Sequence, residues 1–226
     1  MLKGFFITLE GIDGSGKTTA AKLLADGLRK SGANVFSIKF PRHGHPSAWA
    51  ADEYLNGRFG KADELGPYVP EIFYALDRFA ASKEIRKALE TGAVVIADRY
   101  VGSGLAHLGS NLPDLKKRRA YMRWAEHLEY TLFGIPKPDL TIILDIPAKL
   151  AQTLIAQKQR RSYIRRGKRD INERDMRHLM NTAAVYRSLS RRPKHVLIDV
   201  APKGQLLPIA EVHERIWKYV RTHYRT

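Results

Sequence analysis

The 226-residue chain has no cysteine, no long apolar run and few acidic residues for its number of basic ones. Without a thiol, a disulfide framework, a thiolate metal site and a cysteine nucleophile are all excluded. The longest apolar runs cover about five residues, whereas a membrane-spanning helix needs about 20. The first ten residues combine one lysine with a short apolar stretch and end in an acid, which is unlike a secretory signal. We therefore expect a cytoplasmic protein with no membrane partner.

Acidic residues are scarcest in the second half of the chain. Residues 1–110 carry 14 basic and 12 acidic residues, while residues 111–226 carry 25 and 11. The formal net charge of +16 is consistent with a solvated basic face. It is equally consistent with an anionic partner, either nucleic acid or a substrate rich in phosphate. Composition alone leaves both interpretations open.

Length and a hydrophobic content of 44% predict one globular domain over residues 1–226. Short apolar runs alternate with longer amphipathic stretches, and the runs are apolar at nearly every residue. Such runs are typical of parallel strands buried on both faces. The alternation predicts an α/β protein with three α/β/α layers and a five-stranded parallel sheet. The predicted strands are residues 5–10, 34–40, 93–98, 140–145 and 195–200.

Two longer segments, 70–89 and 114–133, are bounded by prolines and glycines and are predicted to be helices. In the first, we expect an apolar stripe of Ile72, Phe73, Leu76 and Phe79 to face the core. The segment at about 158–174 is different, because seven basic residues precede its first acid, Asp170. Since it lies between two helical patterns, we predict a mobile, basic lid within the single domain.

Residues 11–19 match the phosphate-loop (P-loop) pattern G-x-x-x-x-G-K-[ST] in full. A buried strand pattern precedes the loop and a helical pattern rich in Ala and Leu follows it, as the motif requires. In such a loop, backbone N–H groups cradle phosphate oxygens, the lysine reaches the β- and γ-phosphates, and the hydroxyl of the last motif residue binds Mg²⁺. The predicted ATP-binding residues are Gly11, Ile12, Asp13, Gly14, Ser15, Gly16, Lys17, Thr18 and Thr19.

Asp98 and Arg99 directly follow the third predicted strand. An acid in this place is where P-loop enzymes hold the hydrated metal, and the neighbouring arginine can hold a phosphate through two N–H groups. A local ion pair between the two residues is the alternative. We predict Thr18 and Asp98 as the ligands of Mg²⁺, the cofactor that accompanies ATP.

A second binding region is indicated by two short segments. Phe40, Pro41 and Arg42 end the second predicted strand, where they suit a wall against a base or sugar and a clamp on a phosphate. Tyr74 and Arg78 are four residues apart and share one helix face. There the ring can stack on a base while the guanidinium binds the base edge. Taken alone, each segment is also consistent with ordinary core and surface positions.

The motifs are more specific as an ordered set than each is alone. Their order along the chain is the P-loop with its internal acid, F-P-R, Y-x-x-x-R, D-R-Y and the basic segment. In this ordered set the chain resembles the thymidylate kinase family of P-loop nucleoside monophosphate kinases, from residue 5 to about 217. The resemblance implies a P-loop kinase fold and transfer of the ATP γ-phosphate to dTMP, giving dTDP for dTTP biosynthesis. It also implies a homodimer, formed through helices early in the chain and around 70–90.

The resemblance also implies roles for individual residues. Asp13 would bind the sugar hydroxyl or assist at the metal, Tyr74 would stack on thymine, and Arg78 would bind a thymine carbonyl. Arg42 and Arg99 would hold the dTMP phosphate. The implied substrate-binding set is Asp13, Phe40, Pro41, Arg42, Tyr74, Arg78, Arg99, Ser103 and His107.

For catalysis the resemblance implies Lys17, Asp13 and Arg99, together with an arginine from either the P-loop or the lid. The P-loop here has no arginine, so a lid arginine must serve. Arg165 and Arg166 are favoured. The lid arginines are Arg160, Arg161, Arg165, Arg166 and Arg169.

The chain departs from the family pattern at His107 and Leu108, where the family often has Tyr-Gln. Another deoxynucleotide or a deoxynucleoside as acceptor therefore remains an alternative. A nucleic-acid-binding P-loop protein is a further alternative, suggested by the basic second half. It is disfavoured, though not excluded, because the Tyr74/Arg78 and Asp98/Arg99 pairs would have no evident role there.

Overall fold

The computed structural model describes residues 4–60, 62–161 and 176–224. Its five strands form one sheet in the order β2-β3-β1-β4-β5, and each neighbouring pair is parallel. Each predicted strand is present to within one residue at either end. The strands are β1 (Phe5–Glu10), β2 (Val35–Lys39), β3 (Val94–Asp98), β4 (Leu140–Asp145) and β5 (His195–Asp199).

Helices cover both faces of the sheet, which confirms the predicted three-layer α/β/α architecture. The two predicted long helices are present, although the second ends in a π-helical turn at Leu128–Leu132. No helix in the described ranges is long and apolar enough to cross a membrane. The α-helices are α1 (Lys17–Lys30), α2 (Trp49–Leu55), α3 (Ala62–Leu65), α4 (Tyr68–Glu90), α5 (Val101–His107), α6 (Leu115–His127), α7 (Ala148–Arg161), α8 (Met176–Leu189) and α9 (Ile209–His223).

Burial differs between the middle and the edges of the sheet. The central strands β1, β3 and β4 are buried along nearly their whole length, as their apolar runs predict. The edge strands β2 and β5 are largely half-buried or exposed, so the prediction of burial on both faces is wrong for these two. An edge strand has a neighbour on one side only, and the flanking helices cover it incompletely.

The expected core stripe of α4 is wrong at three of its four positions, and the fourth, Phe73, is half-buried. Ile72, Leu76 and Phe79 are 39%, 44% and 48% exposed, whereas Glu71 and Arg78 on the same helix are buried. The helical period was correct, but the inward face carries charged residues that pair with one another. Small residues complete this inward face: Ala75, Ala81 and Ser82. An apolar strip of α4 is therefore left on the surface.

The predicted lid at about 158–174 falls mainly in the gap between the described ranges. Arg165, Arg166 and Arg169 lie outside the described residues, as do the side chains of Arg160 and Arg161. Helix α7 precedes this segment in the chain, and helix α8 follows it.

Candidate active site

A cavity of about 550 Å³ lies beyond the carboxyl ends of β1, β2 and β3. This is where open parallel sheets bind their ligands, because loops from several strands converge there. Residues of α4, α5 and α7 complete the walls. The predicted site residues that line the cavity are Asp13, Gly14, Gly16, Lys17, Thr18, Thr19, Phe40, Pro41, Tyr74, Arg78, Asp98, Arg99, Ser103 and His107.

The P-loop connects β1 to α1 and requires glycine at two close approaches. Gly11 and Gly14 have φ angles of 139° and 80°, which side chains rarely adopt. A Cβ atom would lie 2.5 Å from the Leu144 carbonyl oxygen at Gly11 and 2.6 Å from that of Ala151 at Gly14. The loop thus packs directly on the chain around β4 and α7, which fixes the backbone that would receive phosphate.

Lys17 begins α1 and folds back across the P-loop. Its Nζ donates hydrogen bonds to the Ile12 carbonyl (2.7 Å) and to Ser15 Oγ (3.4 Å). Burial, and next the positive charge of Arg99, lower the pKa of Lys17 to about 7. A phosphate beside Nζ would favour the charged form and replace these internal acceptors.

Thr18 and Asp98 both line the cavity and contact each other, as expected for a metal-binding pair. Thr18 Oγ1 donates a 2.6 Å hydrogen bond to Asp98 Oδ2. Asp98 Oδ1 is buried and has no hydrogen-bond partner among the described residues. A buried carboxylate oxygen without a donor is costly, and hydroxyl and carboxylate oxygens are ligands that Mg²⁺ prefers. These two residues therefore fit a hydrated magnesium ion.

Arg99 is held at the centre of the cavity by its backbone and by three side chains. Its φ angle is 71°, and its N–H donates to the Leu9 carbonyl at 3.0 Å. The guanidinium pairs with Asp13 and donates to Ser103 Oγ (3.3 Å) and to His107 Nε2 (3.2 Å). Since a guanidinium only donates, His107 Nε2 is the acceptor. Arg99 pairs with Asp13 and not with its neighbour in sequence, Asp98.

The electrostatics of this centre favour an anionic ligand. Burial opposes ionisation of Asp13, but the charges of Arg99 and then Lys17 outweigh it and hold the pKa of Asp13 well below its usual value. Burial, followed by the charge of Arg99, lowers the pKa of His107 well below its usual value. Near neutral pH, Asp13 is therefore ionised and His107 is neutral. Four basic side chains line the cavity, those of Lys17, Lys39, Arg78 and Arg99, against the two carboxylates of Asp13 and Asp98.

Tyr74 and Arg78, four residues apart on α4, both line the cavity. The Tyr74 ring lies edge-on to Tyr54, with ring centroids 6.3 Å apart. Arg78 is buried between two carboxylates, and its Nε and Nη2 donate at 2.7 Å to Glu129 Oε1 and Glu71 Oε1, respectively. An aromatic ring and a guanidinium held beside each other can accept a flat, polar base.

The cavity thus brings together the P-loop, the hydrogen-bonded Thr18–Asp98 pair, the central Arg99 and a recess lined by Tyr74 and Arg78. Comparisons with known proteins point to one family. The thymidylate kinase family profile matches residues 9–216. This chain belongs to the thymidylate kinase family. It is 34% identical over 185 residues to thymidylate kinase of Mycobacterium tuberculosis (strain H37Rv), covering 81% of this chain and 85% of that protein.

Further thymidylate kinases support the assignment. The enzyme of Caulobacter vibrioides is 36% identical over 151 residues, which cover 66% of this chain and 68% of that one. The solved structure of thymidylate kinase from Candida albicans superimposes with a TM-score of 0.74 at 22% identity, covering 97% of this chain and 92% of that chain. At this identity the structural likeness establishes the fold, and it confirms the P-loop kinase fold expected from the sequence.

Four predicted site residues in the described ranges do not line the cavity: the P-loop residues Gly11, Ile12 and Ser15, and Arg42. Phe40 and Pro41, joined by a cis peptide bond, line the cavity, but Arg42 does not. Arg42 Nε donates to Asp77 Oδ1 (2.9 Å), and its Nη2 donates to Ser47 Oγ (2.7 Å). The role of Arg42 in holding phosphate stays a prediction.

Glu10 is a site residue that the sequence analysis missed. This buried carboxylate accepts hydrogen bonds from the Tyr100 N–H (2.8 Å), Ser103 Oγ (2.7 Å) and Tyr186 Oη (3.0 Å). Burial raises its pKa, although these hydrogen bonds and Arg99 oppose the shift. It fixes the start of α5 directly behind Arg99. The available signal was an acid that ends an otherwise apolar strand immediately before the P-loop.

Proposed function

We propose that this protein transfers the γ-phosphate of ATP to dTMP, producing ADP and dTDP for dTTP biosynthesis. The observation that carries the proposal is one cavity with two distinct halves. One half holds the P-loop with Lys17 and the Thr18–Asp98 pair, and the other holds the Tyr74–Arg78 recess. The names of the relatives support dTMP as the acceptor. Because both substrates are intracellular metabolites, we place the enzyme in the cytoplasm.

The chemistry needs charge compensation and alignment more than it needs a base. An oxygen of the dTMP phosphate attacks the γ-phosphorus as the bond to the ADP oxygen breaks, so no covalent enzyme intermediate forms. Arg99 lies between the two halves and would neutralise the acceptor phosphate. The Lys17 ammonium would stay paired with the negative charge of the γ-phosphoryl group during its transfer. When the enzyme holds the phosphates of ATP and dTMP in line, binding has already met the entropic cost and the charge repulsion that oppose their encounter in solution.

Thr18 and Asp98 would hold the magnesium ion. Their hydrogen bond and the unpartnered Asp98 Oδ1 support this assignment. When bound, Mg²⁺ supplies positive charge next to the ATP phosphates.

We further propose that residues 1–226 act as one kinase domain with a lid at about 158–174. Leu154 and Ile155 of α7 line the cavity, so the chain enters the lid segment from the cavity rim. Because the P-loop contains no arginine, Arg165 or Arg166 would supply the remaining positive charge on closure. Closure would also exclude water and so limit hydrolysis of ATP.

The exposed strip of α4 supports a homodimer. Val69, Ile72, Leu76 and Phe79 follow one another at spacings of three and four residues and lie on one helix face. The Phe133 ring lies 5.1 Å from that of Phe79 and extends the same surface. Monomeric proteins seldom leave a continuous apolar patch exposed. We propose that a second copy of this chain covers the strip through a two-fold contact of α4 with α4.

A charge placed on this strip should separate the protomers. We expect Leu76→Glu to sediment as a monomer at concentrations where the wild type is a dimer, because an unpaired carboxylate would be buried in the interface. Sedimentation velocity across a concentration series measures this. Leu206→Glu is the matched control, since Leu206 is also 44% exposed but lies in a loop after β5. A wild type that is monomeric throughout would contradict the dimer.

An acceptor panel tests the proposed reaction. ADP release is measured in a coupled assay with ATP, Mg²⁺ and each of dTMP, dUMP, dCMP, dGMP and thymidine. We expect dTMP to be the fastest acceptor and dUMP a poor second. Faster turnover with another acceptor would overturn the assignment of dTMP and direct attention to His107 and Leu108, where the chain departs from the family pattern. ATP hydrolysis that is indifferent to every acceptor would favour the nucleic-acid alternative, whose binding should weaken steeply with salt.

A further inference from the structure

A buried cluster of charged and hydroxyl groups lies behind the Tyr74–Arg78 recess. It consists of Glu71 and Arg78 from α4, Tyr121 from α6 and Glu129 from the π-helical turn, and we call it the Glu71 cluster. All four side chains are buried. Only Arg78 of these four lines the substrate cavity. The other three members can therefore act on a ligand only through residues that line the cavity.

The hydrogen bonds of the cluster fix the guanidinium plane. Arg78 Nη2 donates to Glu71 Oε1 and Nε donates to Glu129 Oε1, each at 2.7 Å. Tyr121 Oη donates to Glu71 Oε2 at 2.6 Å and thereby holds that carboxylate in turn. Arg78 Nη1 has no hydrogen bond among the described residues. It is the nitrogen that remains available to a ligand at the cavity wall.

Glu71 is also wedged against a second wall of the cavity. A Cβ atom on Gly104 would lie 2.2 Å from Glu71 Oε2, so the backbone of α5 packs directly on this carboxylate. Gly104 lines the cavity as Arg78 does. The Gly104 carbonyl oxygen lies 3.2 Å from the same Tyr121 hydroxyl, whose single proton makes its shorter contact with Glu71. One carboxylate thus sets the position of two neighbouring parts of the base recess.

The cluster contains one more carboxylate than guanidinium. Burial raises the pKa of Glu71 to about 7, and the charge of Glu129 adds to this rise, while Arg78 and Tyr121 oppose it. Glu129 Oε2 is buried and lacks a hydrogen-bond partner in the described part of the chain. The groups that face Glu71 are thus Arg78 on its own helix, Glu129 on the π-helical turn, Tyr121 on α6 and the backbone of Gly104 on α5.

We propose that Glu71 is a positioning residue for base selection, which holds Arg78 so that Nη1 is directed at a carbonyl oxygen of the pyrimidine. Glu71 does not touch the base itself. The proposal rests on the proposed function, because it assigns the partner of Arg78 within the acceptor site. A ring carbonyl accepts from Nη1, whereas the amino group of cytosine at the same place would meet another donor.

The test is Glu71→Gln, which keeps the size of the side chain and removes its charge. At pH 8 we expect the KM for dTMP to rise about tenfold, the scale of one weakened charged hydrogen bond. The kcat and the KM for ATP should change less than about twofold, and the preference for dTMP over dCMP should fall. Glu90→Gln, at the exposed end of α4, is the control.

The pH profile separates positioning from a general structural role. With its pKa raised to about 7 by burial, Glu71 is mainly ionised at pH 8 and mainly protonated at pH 6, so the wild type at pH 6 should resemble the variant. The ratio of the two KM values for dTMP should therefore be largest at pH 8 and approach one at pH 6. Forming this ratio cancels titrations common to both proteins, such as those of Lys17 and the dTMP phosphate.

The outcomes distinguish this inference from the proposed function. Equal KM values for dTMP at pH 8, or a loss confined to kcat, would overturn the role of Glu71 while wild-type turnover of dTMP still supports the kinase. If Glu71→Gln unfolds, Tyr121→Phe tests the same contact by removing the hydroxyl that holds Glu71. A smaller increase in the KM for dTMP, without a change for ATP, is then expected, and an unchanged KM would reject the proposal. Absence of dTMP turnover in the wild type would instead reject the proposed function.

Discussion

Replacing Lys17 with methionine should lower kcat about 100- to 1,000-fold, the usual loss when one preorganised donor to a developing charge is removed. Lys17 is buried and bonded across the P-loop, so its ammonium is already placed where the phosphates of ATP would lie. Methionine fills similar volume without a charge or a donor. The transferred group would then lose one of the cations that compensate its charge. Steady-state kinetics with saturating ATP and dTMP measure the loss.

Lys22→Met provides the control for this change. Lys22 lies on the same helix, one and a half turns further along, but its side chain is exposed. We expect its kcat to stay within about twofold of the wild type, since surface substitutions seldom change more than local solvation. Circular dichroism should show both variants folded. A Lys17→Met enzyme with wild-type kcat would mean that the P-loop does not bind the transferred phosphate.

The positions of Lys17 and Thr18 could be predicted because the residues that shape a P-loop are contiguous in the sequence. The spacing of its glycines, the preceding strand and the following helix determine where the two side chains go, and all three are adjacent in sequence. The same holds for Asp98, which ends a strand whose apolar run is plain. Parallel pairing then brings Asp98 next to Thr18, 80 positions away in the chain, because both lie at the carboxyl edge of the sheet.

The partners of Arg78 could not be predicted in this way. Glu129 lies 51 positions away in a π-helical turn, and no periodic pattern relates the two residues. Glu71 is one helical turn from the predicted Tyr74 but was assigned no role, because a charged residue on a helix usually faces solvent. Here the reverse occurs: Ile72 and Leu76 face outward and Glu71 inward. Amphipathic period identifies a helix, but not which of its faces a partner covers.

Around Arg99, too, the sequence predicts which residues belong to the site but does not predict their contacts. Arg99 was identified from its place after β3, yet its contacts with Asp13 and His107 depend on how three segments meet. The departure at His107 could be seen in the sequence, whereas its neutral state and its role as acceptor follow from burial beside Arg99. Position in the chain indicated which residues line the cavity, and packing determines which contacts each of them makes.

Arg99→Met should reduce kcat/KM for dTMP about 100- to 1,000-fold, while the KM for ATP changes little. Arg99 is the cation between the donor and acceptor halves of the cavity, paired with Asp13 and bonded to Ser103. Without it, Asp13 would repel the incoming dTMP phosphate. Arg99→Lys should recover part of the loss, because it restores the charge but not the two parallel donors. Initial rates with dTMP varied at saturating ATP give the values.

Arg29→Met is the matched control, since Arg29 forms an exposed ion pair with Asp26 at the far end of α1. It removes one positive charge from the protein without altering the cavity, and we expect kcat/KM within about twofold of the wild type because exposed pairs contribute little. Thermal unfolding monitors whether Arg99→Met remains folded. If both arginine variants lowered kcat/KM equally, the net charge of the protein, and not the geometry at Arg99, would steer dTMP into the site. If the Arg99→Met defect instead appeared in the KM for ATP, Arg99 would belong to the donor half and another residue would hold the acceptor phosphate.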